Sequence, residues 1–257
     1  DYMTHRVIQA FDTAQFLENT RGDCSLQVLA GDLNTEPGDL AYRVLLSTSK
    51  MKDAFQQKPS RFSGTHEYVY NTYTSGEISS KKPEGIRIDY ILYRESRDVE
   101  CTVDEYELPL MDKIPELEIS YSDHEAVHSI LTIKKVKSSS NGNSATINDK
   151  SVIKDNMKNL QECVNTCNRS LKQLESHRRS YTMMAIGLAV ILINIVEINP
   201  VYGFKTAYMI LKFLLVGLTL FFVFMATLWN IMEKHGILAG KLSMELALGN
   251  LEDELKA

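Results

Sequence analysis

The stretch Ile86-Arg87-Ile88-Asp89-Tyr90-Ile91-Leu92-Tyr93-Arg94 decides how the first half of this chain folds. Its β-branched and aromatic residues, in partial alternation, predict a strand with both faces engaged. One acid, Asp89, sits inside it. Toward the amino terminus, Leu26 to Ala30 is a short apolar run ending at Gly31. It predicts a buried strand feeding the loop Asp32-Leu33-Asn34-Thr35-Glu36-Pro37. Before that strand, Val7, Ile8, Phe11, Ala14 and Leu17 recur at helical spacing, so an amphipathic helix is predicted over 4–18, stopping near Arg21 and Gly22. Between the strands, Leu40 to Leu46 reads as a short helix and the polar residues 56–84 as loop. Toward the carboxy terminus, 98–108 reads as a strand, 109–119 as a Pro-bounded loop and 127–136 as a last strand directly after Ser122-Asp123-His124. Strands interleaved with helices predict α/β or α+β layers over residues 1–136.

Beyond residue 136 the composition changes. Residues 137–150, rich in Ser, Asn and Gly, read as a solvated linker. Ile153, Met157, Leu160, Val164, Cys167, Leu171 and Leu174 then step by four and three, a heptad seam on a helix over 151–180. The same spacing returns at Ile237, Lys241, Met244, Leu248, Leu251 and Leu255 in 232–257, so the two seams are expected to pair within one chain or between copies. Between them, 181–231 holds two apolar runs, Tyr181 to Val196 and Tyr208 to Trp229, each near the ~17–25 residues that cross a hydrocarbon core. The connection at 197–205 is short enough to be only a turn, giving a two-helix transmembrane hairpin. Lys172, Arg178, Arg179, Lys234 and Lys241 flank the side where both ends emerge, against Lys205 alone in the turn, and this predicts that both ends face the cytosol.

Charge narrows the partners. Residues 1–136 carry 15 Lys and Arg against 23 Asp and Glu, which argues against a nucleic-acid grip built on clustered cations. Four cysteines without metal or redox spacing make neither a disulfide scaffold nor a zinc module. The chain opens on Asp1 rather than Met, and the natural start is expected to lie upstream.

The chemistry-bearing residues gather at strand boundaries. Gly31-Asp32-Leu33-Asn34 puts two polar side chains on one side of an extended segment. Alone it is weak, because Asx residues are common turn formers. Ser122-Asp123-His124 is equally short. What adds weight is their order: Gly-Asp-x-Asn, then Arg-Ile-Asp-Tyr at 87–90, then Ser-Asp-His-Glu-Ala at 122–126.

That ordered set, with His5-Arg6-Val7-Ile8-Gln9-Ala10 and Phe16 on the preceding helix, resembles the exonuclease–endonuclease–phosphatase superfamily over about residues 1–136. Followed by a transmembrane hairpin, it resembles the two-span neutral sphingomyelinases within that group. The resemblance implies a two-sheet sandwich, here its carboxy-terminal half, and magnesium-dependent hydrolysis of sphingomyelin to ceramide and phosphocholine. It makes His124 the general base, Asp89 its orienting partner, Asp32 and Asn34 the residues holding water and phosphate oxygens, and Asp123 a support for the metal. It also implies that the principal metal-binding Glu lies upstream of the helix at His5. Glu18 and Glu36 lie outside the matching motif, so the chain alone is expected to be inactive. His5, His66 and His128 receive no role. The same motifs serve nucleases and phosphoinositide phosphatases, and a non-catalytic membrane protein is a third reading. The hairpin favours a membrane lipid.

Overall fold

The computed structural model describes residues 2–136, 145–196, 198 and 203–256. It divides into two compact units, one of 6–162 with 248–257 and one of 1–5 with 163–247.

In the first unit, helix α1 (Tyr2–Thr20) leads into strand β1 (Leu26–Asp32), followed by helix α2 (Leu40–Ser49), a two-residue strand β2 (Lys52–Asp53), two short helical turns α3 (Ala54–Gln57) and α4 (Gly76–Lys81), and strands β3 (Asp89–Glu95), β4 (Val99–Glu107) and β5 (His128–Lys135). β1, β3 and β2 form one sheet with β3 in the centre, and β4 and β5 form a second. All pairings are antiparallel, so the layers are α+β.

β3 shows why the opening stretch matters. Tyr90 and Leu92 face one way, into a buried cluster with Ala14 and Leu17 of α1, Tyr42 and Leu45 of α2, and Met51. Ile91 and Tyr93 face the other way, packing with Ala54 and with Cys101 and Tyr106 of β4. The period of two therefore sets helices on one face and the second sheet on the other. Inside this core, Arg87 donates to Asp53 at 2.7 Å, with their side chains 5% and 0% exposed, and the Tyr42 hydroxyl donates to the same carboxylate at 2.7 Å.

Three expectations need correction. β1 is only half-buried: it lies at the sheet edge, with Leu29 inward on one face, while on the other Leu26 packs against the cluster around Tyr93 and Val28 and Ala30 are exposed. The central strand begins at Asp89, not Ile86, because Ile86 pairs instead in an isolated bridge with His66. The segment read as linker is helical from Ala145, while 137–144 lies outside the described residues. The helix that starts there, α5 (Ala145–Val196), runs through both the heptad seam and the first apolar run as one element. It contains no Pro and only Gly187, so nothing interrupts its hydrogen-bond ladder.

In the second unit, α5 is followed by α6 (Lys205–Phe224), one π-helical turn at Met225–Trp229, and α7 (Asn230–Lys256). Of the connection read as a turn, residues 197 and 199–202 lie outside the described residues. The helices run antiparallel. Tyr208 donates to the Ile195 carbonyl at 2.9 Å, the rings of Tyr181 and Phe222 stack at 6.0 Å, and Asn230 donates to the Leu174 carbonyl at 2.9 Å, stepping steadily away from the connection. Heptad positions Val164, Cys167, Leu174, Ile237 and Met244 are buried. The apolar stretch beyond them is not: Ile186, Ile193, Phe213, Leu214 and Leu220 are all 60% or more exposed. Among the described residues, two helices are long and apolar enough to cross a membrane.

Candidate active site

Four separate segments converge at one end of the three-stranded sheet. The register of β1 against β3 sets Asp32 directly opposite Asp89. From the loop before β5, His124 Nδ1 lies 2.9 Å from Asp89 Oδ2. An ionised carboxylate only accepts, so Nδ1 carries the proton and Nε2 keeps its lone pair. His124 and Asp89 side chains are 28% and 18% exposed, held by the protein yet open to a substrate.

Electrostatics around the imidazole are lopsided. Partial burial disfavours its charged form, but the hydrogen bond and charge of Asp89, with the charges of Asp32 and Asp123, outweigh that and raise the His124 pKa above its ordinary value.

Asp32 and Asn34 are brought together, though not as two side chains along an extended segment. Asn34 takes a left-handed backbone, φ 47°, which Asn tolerates better than most residues. Its backbone N–H then reaches Asp32 Oδ1 at 2.8 Å and its side-chain amide reaches Asp32 Oδ2 at 3.0 Å. This Asx turn fixes the Asp32 carboxylate and leaves one amide hydrogen of Asn34 unused by it. Arg6 of α1 holds the turn from outside, donating to the Asn34 carbonyl at 2.8 Å, and the buried Tyr90 hydroxyl donates to the Thr35 carbonyl at 2.7 Å. A cavity of about 190 Å³ lies beneath, between α1 and α2, lined in part by Arg6, Asp32 and Leu33. The His124–Asp89 pair does not line it.

The polar segment read as loop contributes more than the sequence indicated. Buried Thr65 accepts from the backbone N–H groups of Ile88 and Asp89, both at 3.1 Å, and its carbonyl accepts from Glu125 N at 2.7 Å. Asn71, also buried, donates to the Ser122 carbonyl and to Glu125 Oε1, each at 2.9 Å. Together they clamp the Ser-Asp-His-Glu loop to the end of β3. His66 forms a bridge with His124, and the two rings lie 4.4 Å apart at 31°. The only hint in the sequence is the trio Gly64-Thr65-His66, with Gly64 marking a close backbone approach to Glu84. Away from this cluster, Glu18 pairs with Arg94, Glu36 with Lys82, and His128 with Glu107.

For a metal, one group stands out among the described residues: His66, Asp123 and His124 present donor atoms that all lie within 4.8 Å of one another. Two imidazoles and one carboxylate are not the all-oxygen, octahedral set that magnesium takes. Asp123 alone offers that ion a single oxygen, so this group does not fit as a magnesium site.

Residues 1–124 match the model of the Endonuclease/Exonuclease/phosphatase family. The chain is 38% identical to a putative neutral sphingomyelinase of Drosophila melanogaster, over 96% of the chain and 65% of that protein. It is 26% identical to a putative neutral sphingomyelinase of Caenorhabditis elegans, over 97% of the chain and 58% of that protein. It is 32% identical to sphingomyelin phosphodiesterase 2 of Mus musculus, over 52% of the chain and 32% of that protein. The chain thus spans less than two thirds of the length of these curated relatives. Asp32, Asp89 and His124 thus assemble within the region that matches the Endonuclease/Exonuclease/phosphatase family, and the chain is similar over most of its length to relatives of the neutral sphingomyelinase type.

Proposed function

We propose that this chain is part of a membrane-anchored phosphodiesterase that hydrolyses sphingomyelin to ceramide and phosphocholine. The observation that carries the reading is the 2.9 Å Asp89–His124 contact, with Asp32 paired opposite Asp89. Asp89 fixes the tautomer that leaves His124 Nε2 as proton acceptor. That nitrogen takes a proton from water, the resulting hydroxide attacks phosphorus, and the bond to the ceramide oxygen breaks, that oxygen gaining a proton from solvent while His124 releases its own. Asp32 stabilises the imidazolium that forms, and the remaining amide hydrogen of Asn34 donates to a phosphate oxygen as charge builds there.

Magnesium stays the proposed cofactor on the strength of the family resemblance. Asp123 offers it one oxygen, and further oxygen ligands are needed to complete its shell. The exposed apolar faces of α5 and α6 support insertion of the hairpin in a membrane, since contiguous exposed apolar surface of this kind is unusual in a soluble chain. Lys212, within the second run, sits 4.8 Å from the Tyr208 ring, which eases the burial of its charge. With both ends of the hairpin emerging on the side rich in Lys and Arg, the catalytic residues are assigned to the cytosolic face.

The test is phosphocholine release from sphingomyelin in magnesium-containing mixed micelles, set beside phosphoinositide and DNA substrates. The chain is assayed alone and joined to the part of a longer curated relative that it does not match. Release from sphingomyelin in the extended protein, lost on His124→Ala, supports the reading. Hydrolysis of phosphoinositide or DNA instead would reassign the substrate, and no hydrolysis of any would favour a non-catalytic membrane protein.

A further inference from the structure

His66 is the residue that the catalytic reading leaves unused, and its placement is specific. Its Nδ1 lies 3.1 Å from the Asp123 carbonyl oxygen. A carbonyl only accepts, so Nδ1 of His66 is protonated and Nε2 holds a free lone pair. His124 is in the same state, for its Nδ1 donates to the Asp89 carboxylate. Two imidazoles, each with its far nitrogen tied to a carbonyl or carboxylate oxygen, match the arrangement of metal-ligating histidines, in which the outer hydrogen bond fixes tautomer and ring orientation.

We propose that His66, His124 and Asp123 bind a borderline-soft divalent cation of the zinc type, which competes for the Asp123 carboxylate with the magnesium proposed for hydrolysis. One donor atom from each of the three lies within 4.8 Å of the others. A tetrahedral ion with metal–ligand distances of about 2.0–2.2 Å needs its ligands roughly 3.5 Å apart. The gap closes with small side-chain rotations, the largest made by the exposed Asp123 carboxylate, which accepts a 3.2 Å hydrogen bond from its neighbour Ser122. The backbone is already set, because His66 pairs with both Ile86 and His124, and Thr65 anchors the same turn. Asp32 and Asp89 add negative charge nearby.

Binding there takes the Nε2 lone pair that hydrolysis requires of His124, so a bound zinc ion shuts off the general base reversibly. That consequence rests on the function proposed above, whereas the binding itself does not. The experiment is titration of the full chain in detergent micelles with Co2+, read by its visible absorption, and displacement by Zn2+ followed calorimetrically. The same titrations are run on His66→Ala, His66→Gln, Asp123→Asn and the distant control His128→Ala, with circular dichroism to verify folding. The expected result is one saturable site in the chain and in His128→Ala, weakened at least about tenfold by each change at His66 or Asp123. No saturable Co2+ absorption, or unchanged affinity in folded His66→Ala and His66→Gln, overturns the proposal. Zinc binding retained in a protein that hydrolyses no sphingomyelin sustains the cation site and counts against the catalytic reading alone.

Discussion

His124 and Asp89 are 35 residues apart in sequence and 2.9 Å apart in space, joined through the imidazole nitrogen that faces away from solvent chemistry. Asp89→Asn keeps the size of the partner but removes its charge and allows the imidazole to flip its tautomer. In the active protein, kcat for phosphocholine release is expected to fall by about 10²-fold or more with little change in KM. A KM effect alone, in steady-state kinetics, would remove Asp89 from the chemistry.

The same pair makes a pH prediction. The folded pKa of His124 is raised above 6.5, and the base works only when neutral, so activity falls as pH drops through that raised value. Asp89→Asn should move this acid limb downward. For stability the sign is opposite: the imidazolium–Asp89 interaction is fully present below the unfolded pKa and is lost as pH rises through the folded one. A histidine-resolved NMR titration of the chain against Asp89→Asn measures the shift directly.

How much of this was legible in the sequence differs by element. The alternation in 86–94 gave β3 and its two packed faces because Tyr90 and Leu92 on one side, Ile91 and Tyr93 on the other, are all large and apolar. The apolar run at 26–30 could not reveal that Val28 lies on an open face, since burial depends on what covers the sheet. Asp32, Asp89 and His124 were readable from motif order. His66 was not, because its role comes from a backbone bridge to a loop 58 residues away, and polar loop composition carries no trace of such pairing.

Gly85 holds that bridge in place. It has φ +69°, and an added Cβ would lie 2.6 Å from the His66 carbonyl oxygen. Gly85→Ala therefore combines backbone strain with a clash against backbone that cannot swing aside. A loss of about 1–3 kcal/mol is expected in denaturant unfolding of the chain in detergent, together with weakened Co2+ binding.

The buried Arg87–Asp53 pair makes a sharper stability test. Arg87→Met leaves Asp53 charged, buried and supported only by neutral donors such as Tyr42. About 3–5 kcal/mol should be lost. Replacing both residues with apolar ones should recover much of it, and the comparison is made by thermal unfolding of the single and double variants.

Asn71→Ala tests the clamp on the catalytic loop. It removes the donor shared by the Ser122 carbonyl and Glu125 Oε1, two acceptors in the loop that carries His124. A loss of roughly 1–3 kcal/mol is expected, with a drop in kcat that Asn71→Gln does not fully restore because the longer side chain cannot meet both acceptors.

The most direct test is phosphocholine release from sphingomyelin by the chain joined to the part of a longer curated relative that it does not match, with magnesium present and His124 either intact or replaced by Ala. Release by the intact protein is expected, with a loss of about 10²-fold or more in the variant. Equal release from both would contradict the role of His124, and release from neither would contradict the phosphodiesterase itself.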